Sequence, residues 1–146
     1  MPSSPRAAAA KPASPLAEPP AGRLSPGSIL VVDDDQVTRT VVSTVLEMED
    51  YHVIQASDGR QALDTTRATR PGMMILDVAM PELDGFGVCR ELRADPELAG
   101  MRVLILSGRG DREDEELARQ LGADAYLTKP FTSVGLVEVV RQLVGE

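Results

Sequence analysis

Three short runs of unbroken apolar residues punctuate the chain: Ile29-Leu30-Val31-Val32, Met73-Met74-Ile75-Leu76 and Val103-Leu104-Ile105-Leu106. Four apolar residues without polar alternation suit a parallel strand covered on both faces, not a strand with one wet face. Weaker strand candidates lie at 51–55 and 125–128. Between these segments the period lengthens. Val37, Val41, Val45 and Leu46 recur at helical spacing and predict a helix that buries that face. Asp58, three residues before Gln61, caps a second helix reaching about Thr69. Phe86, Cys89 and Leu92 form a third stripe. Residues 112–121 form a fourth, acidic helix that Gly122 ends. Leu136, Val137, Val140, Leu143 and Val144 make a fifth, capped by Thr132 or Ser133.

Strand then helix, five times over, predicts an α/β fold: a five-stranded parallel sheet with helices on both faces. Five strands favour the order 2-1-3-4-5, the flavodoxin-like doubly wound (βα)5 arrangement. Residues 1–26 stand apart. They hold seven of the eleven prolines and the run Ala7-Ala8-Ala9-Ala10, with no periodic apolar face to bury. They are expected to be a disordered leader or linker, and 27–146 the folded domain. No apolar stretch approaches the ~20 residues of a membrane span, and no continuous apolar core of a signal peptide is present. One cysteine, Cys89, makes no internal disulfide and fits a reducing cytoplasm.

Charge narrows the partners. The formal net charge is −8. The leader carries Arg6, Lys11 and Arg23 against Glu18, a net of +2, so the remainder carries −10. Such a domain has little use for a nucleic-acid backbone, is expected to bind no nucleic acid directly, and better suits cations or basic protein surfaces. The chemistry lies at the strand ends. The first apolar run leads into Asp33, Asp34 and Asp35, the second into Asp77, the third into Ser107, and the last strand into Lys129. Parallel strands end at one edge, so these groups converge there, at the switch point between strands one and three. Carboxylates crowded together either take up a proton or bind a cation. With oxygen ligands and no nearby His or Cys, that cation is a hard one such as Mg²⁺. An added amine and hydroxyl suit a phosphoryl group, so the edge is built for an aspartyl phosphate.

Four motifs arrive in order at these places: Val-Val-Asp-Asp at 31–34, Leu-Asp-Val-Ala-Met-Pro-Glu-Leu-Asp-Gly at 76–85, Leu-Ser-Gly at 106–108, and Tyr-Leu-Thr-Lys-Pro-Phe at 126–131. Over residues 28–145 the chain resembles the receiver domains of bacterial two-component response regulators. The resemblance implies that Asp77 is the phosphoacceptor and that Asp34 ligates Mg²⁺ directly, with Asp33 acting through water. The Ala79 backbone carbonyl would be a further ligand, and Mn²⁺ a substitute ion. Ser107 would be the switch hydroxyl, Lys129 the partner of the phosphate, Tyr126 the aromatic switch, and Lys129–Pro130 a cis bond. It further implies a sensor histidine kinase or histidine phosphotransfer protein as donor. A downstream protein would be met through the face of helix four, strand five and helix five, by a monomer or weak dimer. Ala79 and Arg109 flank the phosphate in such domains and influence its lifetime. The chain ends just after helix five, which suits a stand-alone receiver or a receiver excised from a longer regulator.

Other readings of the same residues carry less. A flavin carrier of this topology needs a phosphate-cradling loop after strand one and rings to stack the cofactor; the chain has three aspartates there and four aromatics in all. A metal-dependent phosphatase commonly needs a second acid two residues past its nucleophile, where Ala79 stands. Gly85-Phe-Gly87 and Gly108-Arg-Gly110 lack the third glycine of a dinucleotide fingerprint. His52 reads as an edge residue, Cys89 as core, and the acidic run at 113–116 as a solvated first turn that complements the helix dipole.

Overall fold

The computed structural model describes residues 25–108 and 112–145. The predicted leader, up to residue 24, and Arg109 lie outside the described residues. In chain order the elements are β1 (Ser25–Val32), α1 (Gln36–Glu47), β2 (His52–Ala56), α2 (Gly59–Thr69), β3 (Pro71–Asp77), α3 (Gly85–Ala94), β4 (Arg102–Ser107), α4 (Arg112–Gln120), β5 (Ala125–Thr128) and α5 (Ser133–Val144). The strands form one parallel sheet in the order β2-β1-β3-β4-β5. β1 opens earlier than its apolar run. Ser25 pairs with Pro71, and an irregularity separates that pair from Ile29–Met73, because strand pairing is a property of the backbone and needs no apolar side chain.

The apolar runs are continuous because each strand feeds two cores. Leu30, Val32, Met74, Leu76, Val103 and Ile105 pack on one side, with residues of α2, α3 and α4. Ile29, Val31, Met73, Ile75, Leu104 and Leu106 pack on the other, with Val42 and Leu46 of α1 and Leu136 and Val140 of α5. Side chains alternate across a strand, so both parities are apolar where both faces are covered.

Helix ends follow the sequence closely. Asp58 accepts from the Gln61 N–H at 2.8 Å, and Thr132, not Ser133, caps α5 by accepting from the Gly135 N–H at 2.9 Å. Gly122, just past α4, has φ +95°, a conformation that suits a residue without Cβ. The buried face of α1 is rotated from the expected one: Leu46 is buried and Val45 packs against the core as expected, but the other two residues of the stripe are not inside. Val37 and Val41 are 70% and 48% exposed, while Val42, Ser43 and Leu46 are buried. The apolar residues of α1 spread over about half its girth, and its docking on the sheet, not its periodicity, chose the inward stripe.

Candidate functional site

β1 and β3 are neighbours and deliver their terminal acids to one point. Asp77 is the last residue of β3, and Asp33 follows β1 directly, with its N–H on the Ala56 carbonyl at 3.2 Å. Both are enclosed: Asp33 is 2% and Asp77 4% exposed. Asp34 is exposed, yet carboxylate oxygens of Asp33, Asp34 and Asp77 all lie within 4.8 Å of one another. From β5's end, Lys129 Nζ reaches Asp77 Oδ1 at 3.1 Å and Asp33 Oδ2 at 3.3 Å. Its own N–H donates to the Ser107 carbonyl at 2.7 Å, which ties the β4 and β5 ends together, and Lys129–Pro130 is cis.

Three acids thus face one ammonium. Burial pushes the Asp77 carboxyl above its ordinary range, the neighbouring Asp33 charge adds to this, and Lys129 offsets only part. Burial alone would lower the Lys129 ammonium, but Asp77 and Asp33 outweigh it and hold it above its usual value, so it stays charged. Asp35 serves the helix instead: it caps α1, accepts from the Thr38 hydroxyl at 2.6 Å, and its carboxyl is held low chiefly by that bond. The surplus of negative oxygen at one spot fits a divalent cation, and an all-oxygen donor set fits a hard one.

Ser107 closes β4 and is 1% exposed. It shares strand parity with Val103 and Ile105, so it falls on the α2–α4 side. Half-buried Tyr126 packs on that same side and borders a recess of about 190 Å³ against Glu115, Ala118 and Arg119 of α4. Ala79 is exposed, two residues past Asp77. His52 is exposed on edge strand β2, and Cys89 is buried, with its thiol pushed up by burial. The larger recess, about 370 Å³, lies at the opposite end of the sheet beside Gly72, Arg102 and Leu143, and none of the clustered acids border it.

One residue at the site carries no sequence signal of its own. Arg39 of α1 donates from Nη1 to the Asp33 carbonyl at 2.7 Å and from Nε to Gln55 Oε1 at 3.1 Å. A lone arginine in a polar helix face reads as solvated; only the true inward stripe of α1 marks it.

Residues 29–141 match the family model of the response regulator receiver domain. The chain is 40% identical over 116 residues to a probable transcriptional regulator, ycf27, of Cyanophora paradoxa, covering 80% of this chain and 47% of that protein. It is 41% identical over 104 residues to the alkaline phosphatase synthesis transcriptional regulatory protein PhoP of Bacillus subtilis, covering 71% of this chain and 42% of that protein. It therefore spans about half the length of the curated relatives it matches. Among solved structures, chemotaxis protein CheY4 of Vibrio cholerae superposes with a TM-score of 0.77 at 30% identity, covering 80% of this chain and 98% of that one.

Proposed function

The chain belongs to the response regulator receiver family of two-component systems, and from that premise we propose that it is a signalling switch thrown by phosphorylation of Asp77. The observation that carries the reading is the meeting of Asp33, Asp34, Asp77 and Lys129 at the C-terminal edge of β1, β3 and β5. Asp33, Asp34 and Asp77, with the Ala79 carbonyl, would hold Mg²⁺ or Mn²⁺. When bound, the ion supplies positive charge that keeps these carboxylates ionised and offsets charge on an incoming phosphoryl group. Asp77 attacks the phosphorus of a phosphohistidine on a sensor kinase or phosphotransfer protein. A carboxylate O–P bond forms, the N–P bond breaks, and the imidazole departs. Lys129, already 3.1 Å from Asp77, stays protonated and stabilises the transferred charge. This is one stoichiometric transfer with slow hydrolysis, a switch and not an enzyme of steady turnover.

The phosphoryl group adds nearly two negative charges and three strong acceptors. Ser107 turns its hydroxyl toward it, and Tyr126, on the same side of the sheet, moves inward. The face of α4, β5 and α5 changes shape and binds a downstream protein, a shift of populations within one fold. No described helix is long and apolar enough to cross a membrane, and we assign the switch to the cytoplasm, where its donor kinase domain would meet it. It works alone or as the receiver part of a longer regulator: the chain spans about half the length of the transcriptional regulators it matches and covers 98% of chemotaxis protein CheY4.

Incubation with Mg²⁺ and acetyl phosphate or phosphoramidate, followed by intact mass, tests the assignment. One phosphoryl adduct is expected, absent from Asp77→Asn and absent without the metal. An adduct that persists in Asp77→Asn overturns the site.

A further inference from the structure

The stripe that α1 turns to the sheet is buried in its middle and ends in a cation. Val42, Ser43 and Leu46 are buried along it, and Arg39, one turn earlier, continues the same face. Its guanidinium spans three elements: from α1 it reaches the Asp33 carbonyl beyond β1 and Gln55 on β2. Gln55 lies opposite Val31, next to the last registered β1–β2 pair, Val32–Ala56. Arg39 therefore takes hold of the first carbonyl past the end of that ladder.

This carbonyl belongs to the peptide joining Asp33 to Asp34, and the two acids are held differently. Asp33 is fixed by its side chain as well: Oδ1 accepts from the Asp35 N–H at 2.9 Å and Oδ2 pairs with Lys129. Asp34 is exposed, and none of the hydrogen bonds and ion pairs among the described residues involves its carboxylate. Where that carboxylate stands depends on the backbone of the turn, and Arg39 grips that backbone.

We infer that Arg39 is a positioning residue of the divalent-cation site, whose two-point hold on the Asp33 carbonyl and Gln55 keeps Asp34 in place before the ion arrives. The inference rests on the proposed reading of the carboxylate cluster as a Mg²⁺ site. An ion that must order its own ligand loop gives up affinity to that ordering. Lysine substitutes only in part, because one ammonium on a flexible stem lacks the planar fork that meets both acceptors.

Mn²⁺ titration followed by the EPR signal of the free ion reads this affinity without phosphorylation. Outer-shell groups that orient metal ligands are typically worth 10–100-fold in affinity, so Arg39→Met is expected to weaken Mn²⁺ binding by about tenfold or more. Gln55→Ala weakens it less, and Arg39→Lys falls between wild type and Arg39→Met. The Mg²⁺ concentration for half-maximal labelling by acetyl phosphate rises by the same factors. Unchanged Mn²⁺ affinity in Arg39→Met, even with a lowered thermal midpoint, makes the arginine merely structural and overturns the inference while the site reading stands. Failure of the wild type to bind Mn²⁺, or binding indifferent to Asp34→Asn, overturns the site reading itself. If Arg39→Met does not fold, Gln55→Ala and Arg39→Lys decide: wild-type affinity in both overturns the inference, and weakened affinity in either supports it.

Discussion

Asp77 carries two demands that conflict in the metal-free protein. The proposed attack on phosphorus needs the carboxylate, but burial and the Asp33 charge disfavour that form. A carboxyl held above its ordinary 3.8 subtracts stability once the pH has risen through its folded value, and the penalty vanishes well below 3.8. Asp77→Asn is therefore expected to raise the thermal midpoint at pH 7 in metal-free buffer, with an advantage that shrinks as the pH falls toward 4. Differential scanning calorimetry across that range, with and without Mg²⁺, checks it. Mg²⁺ should stabilise the wild type and leave Asp77→Asn much less affected, since a ligand stabilises only the state that binds it. Equal stabilisation of both proteins would move the ion elsewhere. At this scale the acids and Lys129 were legible in the chain because each stands at the end of a strand. Arg39 was not, because it binds a backbone carbonyl, which has no signature in sequence, and a glutamine 16 positions away on another element.

Elements set how closely the machinery can be packed. The first turn of α3 presses on the backbone of Asp77: Gly85 N–H donates to the Val78 carbonyl at 3.1 Å, and a Cβ at Gly85 would overlap the Asp77 carbonyl oxygen. Overpacking of this kind typically costs 1–3 kcal/mol, and backbone gives way less readily than a side chain. Gly85→Ala is expected to destabilise by about 1–3 kcal/mol in urea denaturation and to slow labelling of Asp77, whose backbone must shift. Gly87→Ala serves as the comparison, because its added carbon would meet the flexible end of Leu83. A cost as large at Gly87 would refute the argument from backbone contact. α1 shows the opposite case, where an element was legible and its orientation was not. Val37 and Val41 match helical spacing as well as Val42 and Leu46 do, and an amphipathic pattern that wide does not select a face.

On the scale of the whole molecule, the end of the sheet away from the acids is held by a second arginine. Arg93 of α3 donates to the carbonyls of Ala99 and Met101 at 2.8 and 2.6 Å and to that of Gly122 at 2.9 and 2.6 Å, and pairs with Asp124 at 3.0 Å. Asp124 in turn accepts from the Val103 N–H at 2.8 Å. One side chain joins α3, the turn before β4 and the turn before β5. Losing a charged donor to partly buried carbonyls costs about 1.5–3 kcal/mol. Arg93→Ala is expected to destabilise by about 2–3 kcal/mol while wild-type Mg²⁺-dependent labelling persists, read by denaturation and intact mass. A drop in labelling without a loss of stability would contradict a purely architectural role.

The sequence by itself determined the five strand–helix units, the strand order and the identity of the acids, hydroxyl and amine at the strand ends. These are local patterns: apolar runs, helical stripes and the polar residue that ends each strand. Tertiary structure decided which stripe of α1 faces inward, that one lysine is shared by two acids, and that Arg39 and Arg93 act as ties. Lys129 reaches Asp33 across 96 positions and Arg93 reaches Gly122 across 29. Contacts of that span arise only when the sheet closes, since no short window of sequence contains both partners.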